Sequence, residues 1–198
     1  VITLIYERKS MKIAVSLLSL IFVHGCAINV VPKTDLSDSN IPTQHRIYAK
    51  DIEINKLIEN LETINFVVLK TEADSEPQQY FSFMKTMLEN VGFREVIDET
   101  EFARRIIQRK VEGVSGSISD LVSMHRIYRE DFQFLTISTV LKHGGNALWE
   151  QKLEIIDPSV PEPVLKVQMS RVVWVSVDEE FNYPLINLIN DWYKASEQ

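Results

Sequence analysis

Three segments in the second half of the chain carry the hydrophobic pattern of β-strands. They read FQFLTISTVL (132–141), ALWEQKLEII (147–156) and VLKVQMSRVVWVSV (164–177). The first two flank the tetrapeptide HGGN (143–146), whose glycines can adopt positive φ angles without steric cost. The pattern therefore predicts an antiparallel hairpin followed by a third strand.

Side chains of the third predicted strand alternate between an inner and an outer face, because successive residues of a strand point to opposite sides. Arg171 falls on the inner face among hydrophobic residues. Either a bulge shifts the register there, or the aliphatic stem of Arg171 covers the end of the sheet. Trp174 falls on the outer face, where it either packs beneath a helix or contacts another protein.

The preceding region predicts a strand, a helix and a second strand. NFVVLKT, from Asn65, is a β-branched apolar run typical of a buried strand. Ser75, Pro77 and Gln78 have the spacing of a helix start. The short strand 93–97 follows, and a crossover of this length predicts that the two strands pair in parallel. The inward face of the helix comprises Tyr80, Met84, Met87, Leu88 and Val91.

Four further segments have helical spacing. A short helix is predicted over 51–62, although its first residues also suit a strand. Further helices are predicted from Asp98, over 120–128, and from Pro184. Their inward residues are Phe102 and Ile106 with Ile107 as a further candidate, then Leu121, Met124 and Tyr128, then Leu185, Leu188, Ile189 and Trp192. The predicted fold class is α/β (α+β), with a mixed, partly antiparallel sheet of about five strands and three to four helices packed on it.

An apolar run near the N-terminus has the anatomy of a signal peptide. From Met11 the chain reads MKIAVSLLSLIFVHGC, in which Lys12 precedes an apolar run of 11 residues (13–23). A helix that crosses a bilayer needs about 20 residues. The pattern therefore favours a cleaved signal peptide over a permanent transmembrane anchor.

The residues at the end of this run, Val-His-Gly-Cys (23–26), resemble the lipobox of bacterial lipoproteins. The resemblance implies cleavage before Cys26 and lipidation of this cysteine, with diacylglycerol on its thiol and a further acyl chain such as palmitate on its amine. Multiple acyl chains anchor a protein far more firmly than one. Because Ala27 and not aspartate follows, the resemblance also implies the periplasmic face of the outer membrane. The alternative is that Cys26 is a buried thiol at the start of the domain.

On this interpretation the chain has three parts. Residues 1–25 are an upstream extension, which ends before Met11, plus the signal peptide. Residues 26–45 are the lipidated cysteine and a flexible tether, since the segment is polar, contains two prolines and lacks apolar periodicity. Residues 46–198 form a single globular periplasmic domain.

Charge narrows the choice of partner. The formal net charge is -7, and removal of residues 1–25 takes away three basic side chains and one acidic one, which leaves -9. A nucleic-acid partner is therefore excluded, because neutralising phosphates needs a basic surface. The single cysteine also excludes an intramolecular disulfide, so packing alone holds the domain together.

The sequence offers little catalytic chemistry. GVSGS around Ser115 is similar to the G-x-S-x-G nucleophile elbow, but Ser117 replaces the last glycine and the stretch follows a helix. His125 and His143 would each need an oriented nucleophile to act as a general base, so we interpret them as a helix-surface residue and a turn residue. No histidine has a metal-binding spacing and no cofactor motif is present. We therefore expect no catalytic residue, no metal and no cofactor.

A basic cluster on the helix predicted from Asp98 is a candidate contact surface. It comprises Arg104, Arg105, Arg109 and Lys110. The cluster is either a solvated helix face balanced by nearby glutamates or a docking patch for an acidic partner. Trp174, Arg104 and Arg105 are therefore the candidate partner-binding residues.

The order of the predicted elements resembles that of periplasmic lipoproteins of the anticodon-binding-like α/β group. This group includes the curli secretion lipoprotein, the exopolysaccharide-export lipoprotein and the lipoprotein activators of penicillin-binding proteins. FVVLKT entering a helix, the hairpin DFQFLTISTVLKHGGNALWEQKLEII and the closing helix with Trp192 carry the resemblance. It implies a non-catalytic protein-binding or assembly module of the cell envelope, whose partner is another envelope protein or a second copy of the chain.

Two other classes of function remain open. An envelope hydrolase would use Ser115 or Ser117 with His125 or His143, and would need these side chains to converge in a concave pocket. A carrier of a small ligand or lipid would need a large apolar cavity beneath the sheet.

Overall fold

A mixed sheet forms the centre of the fold. The computed structural model describes residues 40–111, 120–129 and 132–198. Within these residues six strands lie in the order β1-β6-β5-β4-β2-β3. The strands are β1 (Ile52–Asn55), β2 (Phe66–Ala73), β3 (Val96–Ile97), β4 (Phe134–Gly145), β5 (Leu148–Ile156) and β6 (Leu165–Val172). The predicted fold class is confirmed, with six described strands where about five were predicted.

The sheet is parallel at one end and antiparallel at the other. Val67 of β2 pairs in parallel with Val96 of β3, and Phe66 of β2 pairs in parallel with Phe134 of β4. β5 pairs antiparallel with β4, β6 with β5, and β1 with β6. The predicted parallel pair and the predicted hairpin are both confirmed.

The hairpin turns at Asn146 and Ala147, whose φ angles are 49° and 60°. Two consecutive positive φ angles define a type I′ turn, which matches the twist of the flanking strands. The sequence placed the connection at 143–146, but β4 continues through Gly145, which has a φ of 83° next to a register shift. Gly145 therefore accommodates the register shift in β4, and Asn146 and Ala147 form the turn.

Helices cover both faces of the sheet. Within the described residues they are α1 (Pro77–Val91), α2 (Glu99–Arg109), α3 (Leu121–Arg129) and α4 (Tyr183–Ser196). One hydrophobic cluster packs α1 and α4 against Val67 and Leu69 of β2, and a second packs α2 and α3 against Phe66 and Val68 of the same strand. β2 is therefore buried on both sides, which explains its unbroken apolar run.

The buried faces of the helices follow the prediction except at Ile107 and Leu121. Ile107 is 76% exposed, because it follows Ile106 directly and successive helix positions point in different directions. Phe102 and Ile106 are buried in α2, as predicted. In α3, Met124 and Ile127 are buried, whereas Leu121 is exposed. Leu121 is the first residue of its helix and lines an open surface cleft beside Thr136 and Ser138 of β4, so its side chain remains at the surface.

The helix starts were predicted with mixed success. Asp98 precedes α2 and its carboxylate accepts a hydrogen bond of 2.7 Å from the amide of Glu101, as an N-cap does. α1 begins at Pro77 as predicted, but Glu76, with a φ of 48°, occupies the cap position that was assigned to Ser75.

Two segments differ from the prediction because strand pairing overrides local spacing. Residues 51–62 form β1 and a 3-10 turn (Leu61–Thr63) where a helix was predicted, since β1 pairs with β6. The third predicted strand, 164–177, ends at Val172, whose partner Leu148 is the first residue of β5.

Residues 40–45 pack along α4. The buried Ile41 donates its amide hydrogen to the side chain of Asn187 at 2.7 Å, and its carbonyl accepts a bond of 2.9 Å from the same side chain. The hydroxyl of Thr43 donates to the carbonyl of Glu179. The sequence assigned this segment to the tether, but these contacts join it to the domain as far as Asn40.

A buried polar network links α1, β4, β5 and the start of α4. The Tyr80 hydroxyl lies 2.7 Å from that of Thr139 and accepts a hydrogen bond from Gln151 at 3.1 Å. Gln151 also donates to Asn182 at 2.8 Å. All four side chains are fully buried. Burial raises the pKa of Tyr80 to about 12, so the hydroxyl stays protonated at neutral pH.

Candidate functional site

The segment that follows β6 presents the most exposed large aromatic side chain among the described residues. Trp174 is 85% exposed and Val175 is 70% exposed, and Val172 at the end of β6 is also exposed. We call residues 172–175 the tryptophan loop. Trp174 was predicted to lie either beneath a helix or at a contact surface, and its exposure excludes the first alternative.

The side chain of Glu180 fixes the tryptophan loop. One carboxylate oxygen of Glu180 accepts hydrogen bonds of 2.6 Å from the backbone amides of both Trp174 and Val175. Glu180 itself is 4% exposed. On the other side, the amide of Val173 donates to the carbonyl of Ala147 in the hairpin turn. The loop is therefore held by backbone hydrogen bonds while the indole remains in solvent.

Glu180 belongs to a single π-helical turn, Asp178–Asn182, which leads into α4. Such turns occur often at functional sites. Asn182 of this turn accepts the hydrogen bond from Gln151 and donates one of 2.8 Å to Asp178. Burial raises the pKa of the Asp178 carboxyl. The π-helical turn therefore joins the buried polar network on one side to the tryptophan loop on the other.

Arg171 lies on the inner face of β6, as predicted, and the pairing of β6 with β5 continues through it without a bulge. Its guanidinium donates hydrogen bonds to the carbonyl of Arg46 at 3.0 Å and to the carboxylate of Asp51 at 2.6 Å. The guanidinium carbon lies 5.0 Å from the ring centroid of Tyr48 and 6.0 Å from that of Phe181. Arg171 therefore covers the end of the sheet, which was the second of the two predicted arrangements.

Arg104 and Arg105 both pair with carboxylates. Arg105 binds Glu95 through two hydrogen bonds of 2.7 and 3.0 Å and binds Glu101 at 3.0 Å. Arg104 also binds Glu101. The hydrogen bonds from Arg105 hold the pKa of Glu95 and of Glu101 below the usual range. Arg105 thus ties α2 to the segment before β3, and the structure does not bring either arginine to the tryptophan loop.

The candidate catalytic histidines have structural contacts. His125 Nδ1 donates a hydrogen bond of 2.8 Å to the carbonyl of Pro158, which holds the imidazole against the surface of the fold. The His143 ring lies 4.9 Å from the ring of Trp149 across the β4–β5 hairpin. Ser115 and Ser117 lie outside the described residues, as does Cys26.

In the parts of the chain that the structure describes, no group of three or more His, Cys, Asp or Glu side chains could hold a metal ion. None of the helices described is long and apolar enough to cross a membrane.

Two surface clefts lie beside the helices α2 and α3. A cleft of about 560 Å³ is lined by Phe66, Arg105, Arg109 and Phe132, with the guanidinium carbons of the two arginines 5.2 and 5.0 Å from the ring centroids of Phe66 and Phe132. A second, of about 370 Å³, lies between Lys70 and Leu121 and is open to solvent. The arginines cover the aromatic rings, so the first cleft does not offer an apolar chamber for a lipid.

Sequence reasoning found Trp174 but missed Glu180 and Tyr48. Glu180 lies in the acidic run DEEF, which has the composition of an ordinary helix start. Arg46, Tyr48 and Lys50 occupy alternate positions. That spacing places Arg46 and Tyr48 on one side of an extended chain and was the available signal for this part of the cluster. Lys50 lies in the 3-10 turn Ala49–Asp51, which the spacing does not indicate.

No protein-family model matches this chain, and no curated protein matches it. Three solved structures show limited similarity. The C-terminal domain of LpoB from Salmonella enterica is 8% identical with a TM-score of 0.38, over 55% of this chain and 83% of that one. A PelC dodecamer from Paraburkholderia phytofirmans is 11% identical with a TM-score of 0.40, over 73% and 96%. Lipoprotein GNA1162 from Neisseria meningitidis is 12% identical with a TM-score of 0.35, over 67% and 95%.

One of these three proteins is described as a lipoprotein. At such identities, and with TM-scores below 0.5, none of them carries a family or a function over to this chain.

Proposed function

We propose that this protein is a non-catalytic lipoprotein of the cell envelope that binds another envelope protein through the tryptophan loop. In this proposal acyl chains on Cys26 anchor it at the periplasmic face of the outer membrane, and the domain works in the periplasm.

The observation that carries the proposal is the exposed indole of Trp174 on a loop whose amides are fixed by Glu180. Tryptophan is one of the residue types that most often dominate the binding energy of protein interfaces. A loop that is already ordered loses little conformational entropy when it binds, which favours affinity. Val172 and Val175 flank the indole and extend the exposed apolar surface of the loop.

The sequence between Met11 and Cys26 supports the proposed anchor. Fourteen residues, 26–39, separate the domain contacts at Asn40 from the membrane, if Cys26 is acylated. At about 3.5 Å for each extended residue, this tether spans up to about 50 Å. The domain would therefore stay near the membrane but could reach partners across part of the periplasm.

The hydrolase and carrier alternatives receive no support from the described contacts. The Nδ1 atom of His125 is engaged with Pro158, and the His143 ring lies against Trp149. Fully buried side chains such as Met84 and Leu185 fill the space between the sheet and the helices α1 and α4, where a lipid carrier needs a cavity.

Site-specific photo-cross-linking in cells tests the proposal. A photoreactive amino acid at Val175 should give an adduct with a distinct envelope protein, whereas the same group at Val122, which is 77% exposed on α3, should not. An adduct between two copies of this chain would identify self-association as the function of the loop. Equal labelling from both positions, or none from Val175, would contradict the proposed contact.

A further inference from the structure

Three cationic side chains surround the ring of Tyr48, which is 48% exposed. The distances from the ring centroid are 5.7 Å to the guanidinium carbon of Arg46, 5.9 Å to Lys50 Nζ and 5.0 Å to the guanidinium carbon of Arg171. No two of the cations are therefore more than about 12 Å apart, which is close to the screening length of about 10 Å in 0.1 M salt. We call Arg46, Tyr48, Lys50 and Arg171 the Tyr48 cluster.

The cluster is built on a fixed turn. Asp51 accepts hydrogen bonds from the amide of Tyr48 at 3.3 Å and from Arg171 at 2.6 Å, and Arg171 also donates to the carbonyl of Arg46. These bonds hold the segment that carries Arg46 and Lys50 over the end of β6.

One carboxylate does not balance three cations. Asp51 forms an ion pair with Arg171, but Arg46 and Lys50 are exposed and have no carboxylate partner among the described residues. The cluster therefore has a local excess of positive charge within a mature chain of formal charge -9. Like charges held this close favour an anionic ligand, because an anion relieves their repulsion.

The position of the cluster in the chain suggests where that anion lies. Residues 40–45 run along α4, and the Tyr48 ring is only eight residues beyond Asn40. An acylated Cys26 would hold these cations within a tether length of lipid headgroups, at a high effective concentration. Basic side chains beside an exposed aromatic ring are typical of surfaces that rest on anionic bilayers.

We propose that the Tyr48 cluster binds the anionic phospholipid headgroups of the bilayer into which the Cys26 acyl chains insert. This inference rests on the proposed lipid anchor. The rest of the acidic surface is repelled by an anionic bilayer, so the contact orients the domain on the membrane. Arg46 and Lys50 bind headgroup phosphates, while Arg171 and Asp51 hold their segment in place.

Energy transfer in reconstituted vesicles tests this contact. A fluorophore is attached to the lipidated Ala49→Cys variant. The label reacts only with the cysteine at position 49, because the thiol of Cys26 is acylated. A lipid with a labelled headgroup is the energy acceptor. A fluorophore on a Lys152→Cys variant, at an exposed position on β5, is the control. Vesicles contain phosphatidylcholine alone or phosphatidylcholine with phosphatidylglycerol.

We expect transfer from position 49 to rise with phosphatidylglycerol, to fall with added salt and to exceed transfer from position 152. The double variant Arg46→Glu, Lys50→Glu should lower the ratio of domains in contact with the bilayer to domains free of it, by about fivefold or more for each cation reversed. Arg46→Gln with Lys50→Gln should have a smaller effect in the same direction, and Lys152→Glu should have none.

Equal transfer with and without phosphatidylglycerol in an anchored protein would overturn the headgroup contact and leave the lipid anchor intact. A chain that is not acylated at Cys26 would overturn both. If the double reversal abolished cross-linking to an acidic protein but left transfer unchanged, the cluster would be a protein-binding surface and the lipid contact would be wrong.

Discussion

The buried carboxylate of Glu180 binds the backbone amide of the exposed Trp174 at 2.6 Å, and the same oxygen binds the amide of Val175. A buried side chain thus fixes the backbone beneath the most exposed aromatic residue described. Since the indole makes little contact with its own domain, its role in stability and its role in binding can be measured separately.

Trp174→Ala should separate binding from folding. Because the side chain is 85% exposed, we expect the free energy of unfolding to change by no more than about 0.5 kcal/mol. If the indole is an interface hot spot, capture of the partner should fall by about thirtyfold or more. Denaturant unfolding and quantitative pull-down provide the two measurements, and Val122→Ala is the matched surface control. Unchanged capture would remove Trp174 from the contact.

The two arginines on α2 are expected to behave differently from each other. Arg104→Glu removes one bond to Glu101 at the surface, so it should fold normally and reduce capture only if α2 belongs to the partner surface. Arg105→Glu breaks both the link to Glu95 and the link to Glu101, and should also destabilise the domain. Normal capture by the folded Arg104→Glu variant would exclude Arg104 from the partner surface.

Removal of the Glu180 carboxylate should release the tryptophan loop. Glu180→Ala leaves two amides without their acceptor, which typically costs about 1–3 kcal/mol. Glu180→Gln keeps an oxygen of similar shape and should cost less. Hydrogen exchange at the amides of Trp174 and Val175 reports the loop directly. Persistent protection of both amides in the alanine variant would show that other contacts fix the loop.

Acid should weaken the link between Glu95 and Arg105. Because Arg105 lowers the pKa of Glu95 in the folded state, the pair stabilises the fold above the ordinary glutamate value of 4.5. That contribution is lost as pH falls through the lowered pKa. Between about pH 5 and about pH 3, an interval that brackets the pKa of glutamate in the unfolded chain, the unfolding free energy should decrease. We expect this decrease to be smaller for Arg105→Gln than for the unmodified protein. Parallel curves for the two proteins would contradict this assignment.

Tyr80→Phe tests the buried polar network. Loss of the hydroxyl leaves Thr139 without its partner and should cost about 1–3 kcal/mol at neutral pH. Since burial raises the pKa of Tyr80 from 10.0 to about 12, the unmodified protein loses an additional contribution to its stability, which the variant lacks, as pH rises through this interval. The difference between the two proteins should therefore narrow in alkali. A constant difference would indicate that Tyr80 does not ionise on unfolding.

Local sequence signals predicted the elements that local chemistry specifies. Pro77 and Asp98 marked the starts of α1 and α2, and the apolar run of β2 correctly indicated a strand buried on both faces. The spacing at the start of 51–62 suited either a helix or a strand, and the pairing of β1 with β6, more than a hundred residues later, decides for the strand. The end of β6 at Val172 likewise depends on where β5 begins.

In the candidate site, too, local sequence predicted some features, whereas others depend on contacts between distant parts of the chain. Trp174 could be selected from the sequence because an aromatic residue at an outward position is unusual. The acceptor for its amide could not, since Glu180 reaches it only through the π-helical turn before α4. The Tyr48 cluster needed Arg171 and Asp51 to meet across 120 positions of the chain.

The intact mass of the protein extracted from membranes is the most direct test, because both proposed contacts depend on the anchor at Cys26. We predict a chain that begins at Cys26 and carries acyl groups, together with loss of acylation and of membrane attachment in a Cys26→Ser variant. A full-length chain with a free Cys26 thiol would contradict the account, since neither the outer-membrane location nor the tether from 26 to 39 would then exist.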